Sequence, residues 1–181
     1  MDSISIENAC RFCPRCGTQA KVAGSVPFRC MQCGFANFFG PVAAVGGLVT
    51  NEQGELLLVR RARNPGKGKW GLPGGFVDRN ETIEQALSRE VLEETNLCVK
   101  DASYLTSFPN LYEYAGAVSP VIDLFYVCEV VDRGAIRLAD GELDSFLWVN
   151  PTDEHLAEMA FPSNRRAIEQ WLNSGLSLIH I

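Results

Sequence analysis

Gly75 to Leu97 reads GFVDRNETIEQALSREVLEETNL, directly after the turn Leu72-Pro73-Gly74-Gly75. At about 100° per residue, Ile83, Leu87 and Val91 form one apolar stripe, so the stretch predicts a helix. Glu90 and Glu94 fall within or beside that stripe, and Glu93 lies about 60° round from Glu90, on its flank. A surface helix ordinarily turns its carboxylates away from the core. Here they sit three and four residues apart, where side chains are neighbours, and like charges that close push each other's pKa upward. A hard divalent cation with oxygen ligands relieves that repulsion. The plainer alternative is a solvated acidic face with Arg89 and Glu93 as an i,i+4 pair. It accounts for Glu84, but not for two carboxylates on the apolar side.

The order Gly75, five residues, Glu81, seven residues, Arg89-Glu90-Val91, one residue, Glu93-Glu94 resembles the Nudix box. The resemblance covers about residues 41 to 173. It implies an α/β fold, the Nudix α/β/α sandwich, and a loop–helix–loop that holds magnesium or manganese against a diphosphate. It further implies metal ligands at Glu90, Glu93, Glu94 and the Gly75 backbone, an orienting ion pair from Arg89, and a metal-binding or supporting role for Glu81. Glu90 is the leading candidate for the base and Glu142, in the loop ADGELD, the runner-up. The box ordinarily closes on glycine, and Asn96 stands there instead. Asparagine is the next best residue for a left-handed helix cap.

Upstream, Cys13-Pro14-Arg15-Cys16-Gly17 and Cys30-Met31-Gln32-Cys33-Gly34 form two CxxCG turns. Each lets two thiolates reach one ion, and four thiolates close a tetrahedral structural zinc site. A register using Cys10 with Cys13 is the alternative; the matching glycines favour Cys13, Cys16, Cys30 and Cys33. A segment this short cannot bury an adequate core, so metal binding would supply its folding energy. Residues 1–40 therefore read as a zinc ribbon with its linker, and 41–181 as the Nudix hydrolase domain. The ribbon resembles the one that precedes the Nudix domain in bacterial NADH pyrophosphatases. Between Cys10 and Phe39 the charged residues are Arg11, Arg15, Lys21 and Arg29, with no acid. Compensation of a doubly negative four-thiolate centre is the favoured explanation, and contact with RNA or a polyphosphate is the other.

The remaining chain reads as a hairpin from Val42 through Gln53-Gly54 to Arg61, with Val45, Leu48, Leu56, Leu58 and Val59 in the core. Strands are expected from Cys98 to Phe108, broken by Pro109-Asn110, then over Val121 to Val131 and Ser145 to Val149. Helices are expected over Pro151 to Met159 and Asn164 to Asn173. Cys98 and Cys128 read as core residues. Residues 1 to 9 read as a flexible start, and the apolar tail LSLIHI as a strand or a homodimer contact. The loop Arg60 to Trp70 is basic, which suits a phosphate-rich substrate, with Arg60 and Arg61 as candidate contacts. Tyr112 and Tyr114 are candidates to stack a base or a nicotinamide.

The chain has 181 residues, 46% hydrophobic and 21% charged, with net charge −6. That is the composition of one folded domain with a small appendage and argues against a nucleic-acid coat protein. No secretory signal pattern and no membrane-length apolar run is evident, so the expected address is the cytoplasm. The expected activity is metal-dependent hydrolysis of a nucleoside diphosphate linked to a second group, of the ADP-ribose, NADH or FAD type. Ser107-Phe108-Pro109 is only a remnant of the longer motif of NADH pyrophosphatases, which weakens a strict NADH preference. A non-catalytic nucleotide sensor and an enzyme of capped RNA are the alternatives.

Overall fold

The computed structural model describes residues 3–131 and 136–175. Its chain divides into two units, Met1–Val42 with Leu111–Val121, and Ala43–Asn110 with Ile122–Ile181. The first therefore joins the N-terminal segment to the tip of a later hairpin.

In the first unit, β1 (Ile4–Ser5) leads into a four-residue helix α1 (Ile6–Ala9), followed by β2 (Phe28–Arg29) and β3 (Ala36–Asn37). The expected flexible start is thus corrected. Ile4 and Ser5 pair in parallel with Ala117 and Val118, a partner more than a hundred residues away that no local pattern could name. β2 and β3 pair antiparallel, Phe28 with Asn37 and Arg29 with Ala36. Among the described residues, the core of this segment is a small apolar cluster of Cys13, Phe28 and Cys30, flanked by Phe35 and Phe39.

The rest of the chain gives β4 (Val42–Val49), β5 (Leu56–Arg61), β6 (Trp70–Gly71), α2 (Ile83–Thr95), β7 (Cys98–Tyr114), β8 (Ala117–Val131), β9 (Leu143–Val149), α3 (Asp153–Ala157) and α4 (Pro162–Asn173). β4 lies beside β8, with β7 on β8 as well, while β5 lies between β6 and β9. The β4–β5 hairpin is present only at its turn, where Thr50 and Leu56 bridge antiparallel. The turn exists, with Asn51 Oδ1 accepting the Gln53 and Glu55 N–H groups, but its two strands enter different sheets. Alternation marks a strand without naming its neighbour. Close approach does: a Cβ on Gly46 would lie 2.8 Å from the Phe125 ring.

The first four residues of β5, Leu56 to Val59, are buried on both faces. Leu57 and Val59 join Val45, Val49, Tyr126, Cys128 and the Ala86, Leu87 and Val91 face of α2 in one cluster. Leu56 and Leu58 join Leu48, Phe125 and the α3–α4 residues Leu156, Ala167, Ile168 and Trp171 in the other. Successive side chains of a strand point to opposite faces, so this parity puts helices on both sides: an α/β/α arrangement within the second unit. Burying each such Leu or Val contributes about 1.5–3 kcal/mol. Cys128 is a core residue, as expected, whereas Cys98 is only half-buried.

β7 runs through Pro109-Asn110, which the sequence reads as a break. Among the described residues it pairs with β8, and on a strand's unpaired side a missing N–H costs no ladder bond. Asn110 Nδ2 donates to the buried Asp123 carboxylate at 2.9 Å, as does the Ser163 hydroxyl from the first turn of α4. Ala115 and Gly116 join β7 to β8, both at positive φ as a two-residue hairpin loop requires. α3 is shorter than expected, and the tail LSLIHI lies outside the described residues. Among the described residues no helix is long and apolar enough to cross a membrane.

α2 is closed at both ends. Thr82 Oγ1 accepts the Gln85 N–H and Gln85 Oε1 accepts the Thr82 N–H, a reciprocal cap. Asn96 ends the helix at φ 63°, and its N–H donates to the Leu92 carbonyl. Asn96→Val should therefore lower stability by about 1–2 kcal/mol, the cost of a left-handed residue with a branched Cβ. Asn96→Gly should match or exceed the parent, both read from the urea midpoint.

Candidate active site and cysteine cluster

The carboxylate site is built from one guanidinium outward. Arg89, in the middle of α2, donates from Nε to Glu81 Oε1 at 2.9 Å and from Nη2 to Glu81 Oε2 at 3.0 Å. Nη1 reaches Glu90 Oε1 at 2.7 Å and Glu93 Oε2 at 3.2 Å, and Nη2 also donates to the Phe76 carbonyl at 3.0 Å. All five N–H groups of the fork are engaged. The Glu81 hydrogen bonds, then those of Glu90, raise the Arg89 pKa further. Glu81, bonded by Arg89 and by the Asp78 N–H, is held below the usual carboxylate range.

The three helix glutamates have three different environments. Glu93 is open to solvent, its side chain 59% exposed, and Arg89 is its partner. Glu90 is largely buried, and burial raises its pKa against the opposing pull of Arg89. Glu94 is 8% exposed, and Oε2 accepts the Gly74 N–H at 2.9 Å. Burial pushes the Glu94 carboxyl up to about 8, against the Gly74 hydrogen bond; the charges of Glu90 and Glu142 add to the rise and Arg61 opposes it.

The two glycines preceding the helix are as constrained as its acids. Gly74 sits at φ 150°, and a Cβ there would lie 2.1 Å from the Val45 carbonyl oxygen. A Cβ on Gly75 would lie 2.6 Å from the Glu90 carboxyl carbon, so that carboxylate is packed on bare backbone. The Gly75 carbonyl accepts the Val45 N–H at 2.8 Å, and a carbonyl keeps a second lone pair. Carboxylates and carbonyls are the kind of hard oxygen donor a magnesium or manganese ion takes.

The basic loop is folded rather than loose. Arg60 Nε donates to the Gly68 carbonyl and its guanidinium lies 5.8 Å from the Trp70 ring centroid. Arg61 Nε donates to the Pro65 carbonyl, with its guanidinium 5.1 Å from the Phe161 centroid. Glu142 pairs with Arg63 at 2.8 Å, a residue the sequence does not distinguish from its arginine neighbours. Tyr112 and Tyr114 belong to the first unit, while the carboxylates belong to the second. Gly74 N–H and Phe76 C=O also escape the sequence reading, because backbone groups carry no residue signature.

Residues 40–171 match the NUDIX domain model. The chain belongs to the NUDIX family. It is 32% identical over 157 residues to a protein of Actinobacillus succinogenes named NAD-capped RNA hydrolase NudC, covering 82% of this chain and 56% of that one. It is 44% identical over 68 residues to an ADP-ribose pyrophosphatase of Methanocaldococcus jannaschii, covering 38% and 40%. A NUDIX hydrolase structure from Nitrosomonas europaea shares the fold, with TM-score 0.63 and 21% identity over 91% of each chain. The chain spans about half the length of the NudC relatives it matches. The Nudix box is thus the loop and helix from Gly75 to Leu97, placed by the caps of α2.

The second cluster lies in the first unit. Sγ atoms of Cys13, Cys16, Cys30 and Cys33 all fall within 4.8 Å of one another. Cys13 and Cys33 are 3.7 Å apart, Cys16 and Cys30 3.6 Å. A zinc ion at about 2.3 Å from four sulfurs spaces them about 3.8 Å apart, so the cluster fits that ion. The turns are superimposable in their bonding: Gly17 N–H to Cys13 C=O and Gly34 N–H to Cys30 C=O, with both glycines at φ near 74°. The Thr18 hydroxyl and backbone hold the Cys16 thiol below its ordinary range, while, against the Phe35 backbone hydrogen bond, burial and the neighbouring thiols push Cys33 up to about 12, as four thiols this close cannot all ionise without a cation. Cys10 bonds the Phe12 carbonyl instead and is outside the set.

Purified protein should carry one zinc per chain with sulfur at about 2.3 Å by X-ray absorption. Cys30→Ser should lose the metal and melt the N-terminal segment; unchanged metal content would remove the assignment. A separate outcome concerns Glu94. Unfolded, it ionises near its ordinary 4.5; folded and metal-free, near 8. Its contribution to stability is therefore complete below the lower value and lost as pH rises through about 8. Magnesium should raise the melting temperature more at pH 8.5 than at pH 6, and an equal gain would contradict the burial argument.

Proposed function

We propose that the chain hydrolyses the P–O–P bond of a nucleoside diphosphate linked to a second group, releasing a nucleoside monophosphate. The observation that supports this most is the pair Glu90 and Glu94, buried against Gly74-Gly75 and kept in place by Arg89 and one backbone N–H. Magnesium or manganese, when bound there, would neutralise phosphate charge and make a bound water more acidic. Glu90, Glu94 and the Gly75 carbonyl are its proposed ligands, with Glu93 on the solvent side. Glu90 is also the proposed proton acceptor for the attacking water. Arg89 and Glu81 are positioning residues: every donor of one and both oxygens of the other are already used within the fold. Phosphoryl transfer asks for positioning and charge stabilisation more than for covalent chemistry, which suits such a rigid acidic frame.

ADP-ribose, NADH and FAD are the substrates to try, in that order. The family membership and the ADP-ribose pyrophosphatase relative support the first. A second reading carries the same chemistry to a capped RNA. It is supported by the name of the NudC relatives and by the acid-free stretch from Cys10 to Phe39, whose Phe12 and Met31 side chains are exposed. Retention of RNA that weakens with salt would favour it.

The protein with magnesium or manganese should release AMP from at least one of the three substrates. Hydrolysis in heavy-oxygen water should label one phosphate product and identify the attacked phosphorus. Glu94→Gln should reduce kcat by roughly two orders of magnitude or more, while the exposed Glu84→Gln should be near neutral. Tight binding of a panel member that is never cut would replace the enzyme with a sensor.

A further inference from the structure

Three arginines, Arg60, Arg61 and Arg63, stand at the entry of the basic loop, and the fold uses them differently. Arg60 and Arg61 spend Nε on the loop's own carbonyls and lay their guanidinium planes near Trp70 and Phe161. They close the loop, together with Gly68 N–H to Arg61 C=O and Lys69 N–H to Gly66 C=O. Arg63 takes no part in that closure. It reaches across to Glu142, 2.8 Å away, with its own side chain 60% exposed.

The place of that pair is fixed by backbone. Ala62 N–H donates to the Glu142 carbonyl at 2.7 Å, joining the basic loop to the loop before β9. Ala139 N–H donates to the Glu94 carbonyl, and Glu142 N–H to the Ala139 carbonyl, joining that loop to the last turn of α2. Glu142 therefore stands between the basic loop and the buried glutamates, and its charge is felt at both Glu90 and Glu94. A carboxylate beside two others, held by one exposed arginine, is an arrangement a phosphate can replace. Glu142 meets the guanidinium through one oxygen, whereas a phosphate can offer two oxygens to the fork, with more charge.

We propose that Arg63 is a phosphate-binding residue for the diphosphate substrate, and that Glu142 holds its place in the free protein by occupying the guanidinium until the phosphate arrives. The inference rests on the diphosphate reading above. In it Glu142 competes with substrate for one cation, so the loss of Glu142 frees Arg63 and strengthens binding. A merely structural pair behaves oppositely: loss of either partner loosens both loops and weakens binding.

The probe is α,β-methylene-ADP, which carries an uncleavable bridge, titrated by calorimetry with magnesium into the full chain. Glu142→Gln should tighten it about two- to fivefold, the range expected for release of an exposed ion pair. Arg63→Gln should weaken it by a similar factor or more. In the double variant the gain from Glu142→Gln should vanish. Asp140→Asn, one loop neighbour away and exposed, controls for the general effect of removing a negative charge and should change affinity less than Glu142→Gln. With a natural substrate, Arg63→Gln should raise KM and leave kcat within about twofold, as loss of uniform binding does. The proposal is overturned if Glu142→Gln weakens binding or leaves it unchanged, or if its gain persists without Arg63. A parent protein that neither binds the probe nor cuts any panel member overturns the diphosphate reading and this inference with it. A parent that does both, with no difference among the variants, overturns this inference alone.

Discussion

Everything at the carboxylate site depends on Arg89. Four acceptors from three separate stretches, the carboxylates of Glu81, Glu90 and Glu93 and the carbonyl of Phe76, meet on one planar group. A lysine in its place has three donors on a flexible stem and could not satisfy that set. The fork compensates the charge of the glutamates nearest to it, and leaves Glu94 uncompensated and buried. The site is thus asymmetric before any ligand enters: one carboxylate tied to a cation, one sealed against a glycine N–H. That asymmetry sets the cluster apart from an evenly solvated acidic face.

The helix was legible because its signals are local. The stripe, the cluster of glutamates and Asn96 at the end are all read within one window, and the structure has a left-handed Asn96 and a buried Glu94 at those positions. The i,i+4 pair of Arg89 with Glu93 is present too, beside the clustered glutamates. The cysteine set was legible for the same reason, since each CxxCG turn carries its own glycine.

What the sequence could not show is partnership at a distance. β4 and β5 look like a hairpin because they adjoin a turn, yet the strands separate into different sheets. Pro109 reads as a break because its missing N–H matters only if a neighbour waits for it, and edge position is not written locally. Ile4 and Ser5 look loose because their partner is the far arm of a hairpin. At the site, Arg63 resembles Arg60 and Arg61 in sequence. Only the direction in which each guanidinium leaves the loop separates the two that close it from the one that bridges to Glu142.

β5 carries a consequence for how the second unit comes apart. Leu56, Leu57, Leu58 and Val59 divide between two apolar clusters, and β6 and β9 occupy both of the strand's edges. The helices on opposite sides therefore share a single strand as their common floor, and neither cluster can open without baring residues adjacent to the other. Such an arrangement makes the two clusters one cooperative unit, whose amide hydrogens on β5 exchange with solvent only through global opening.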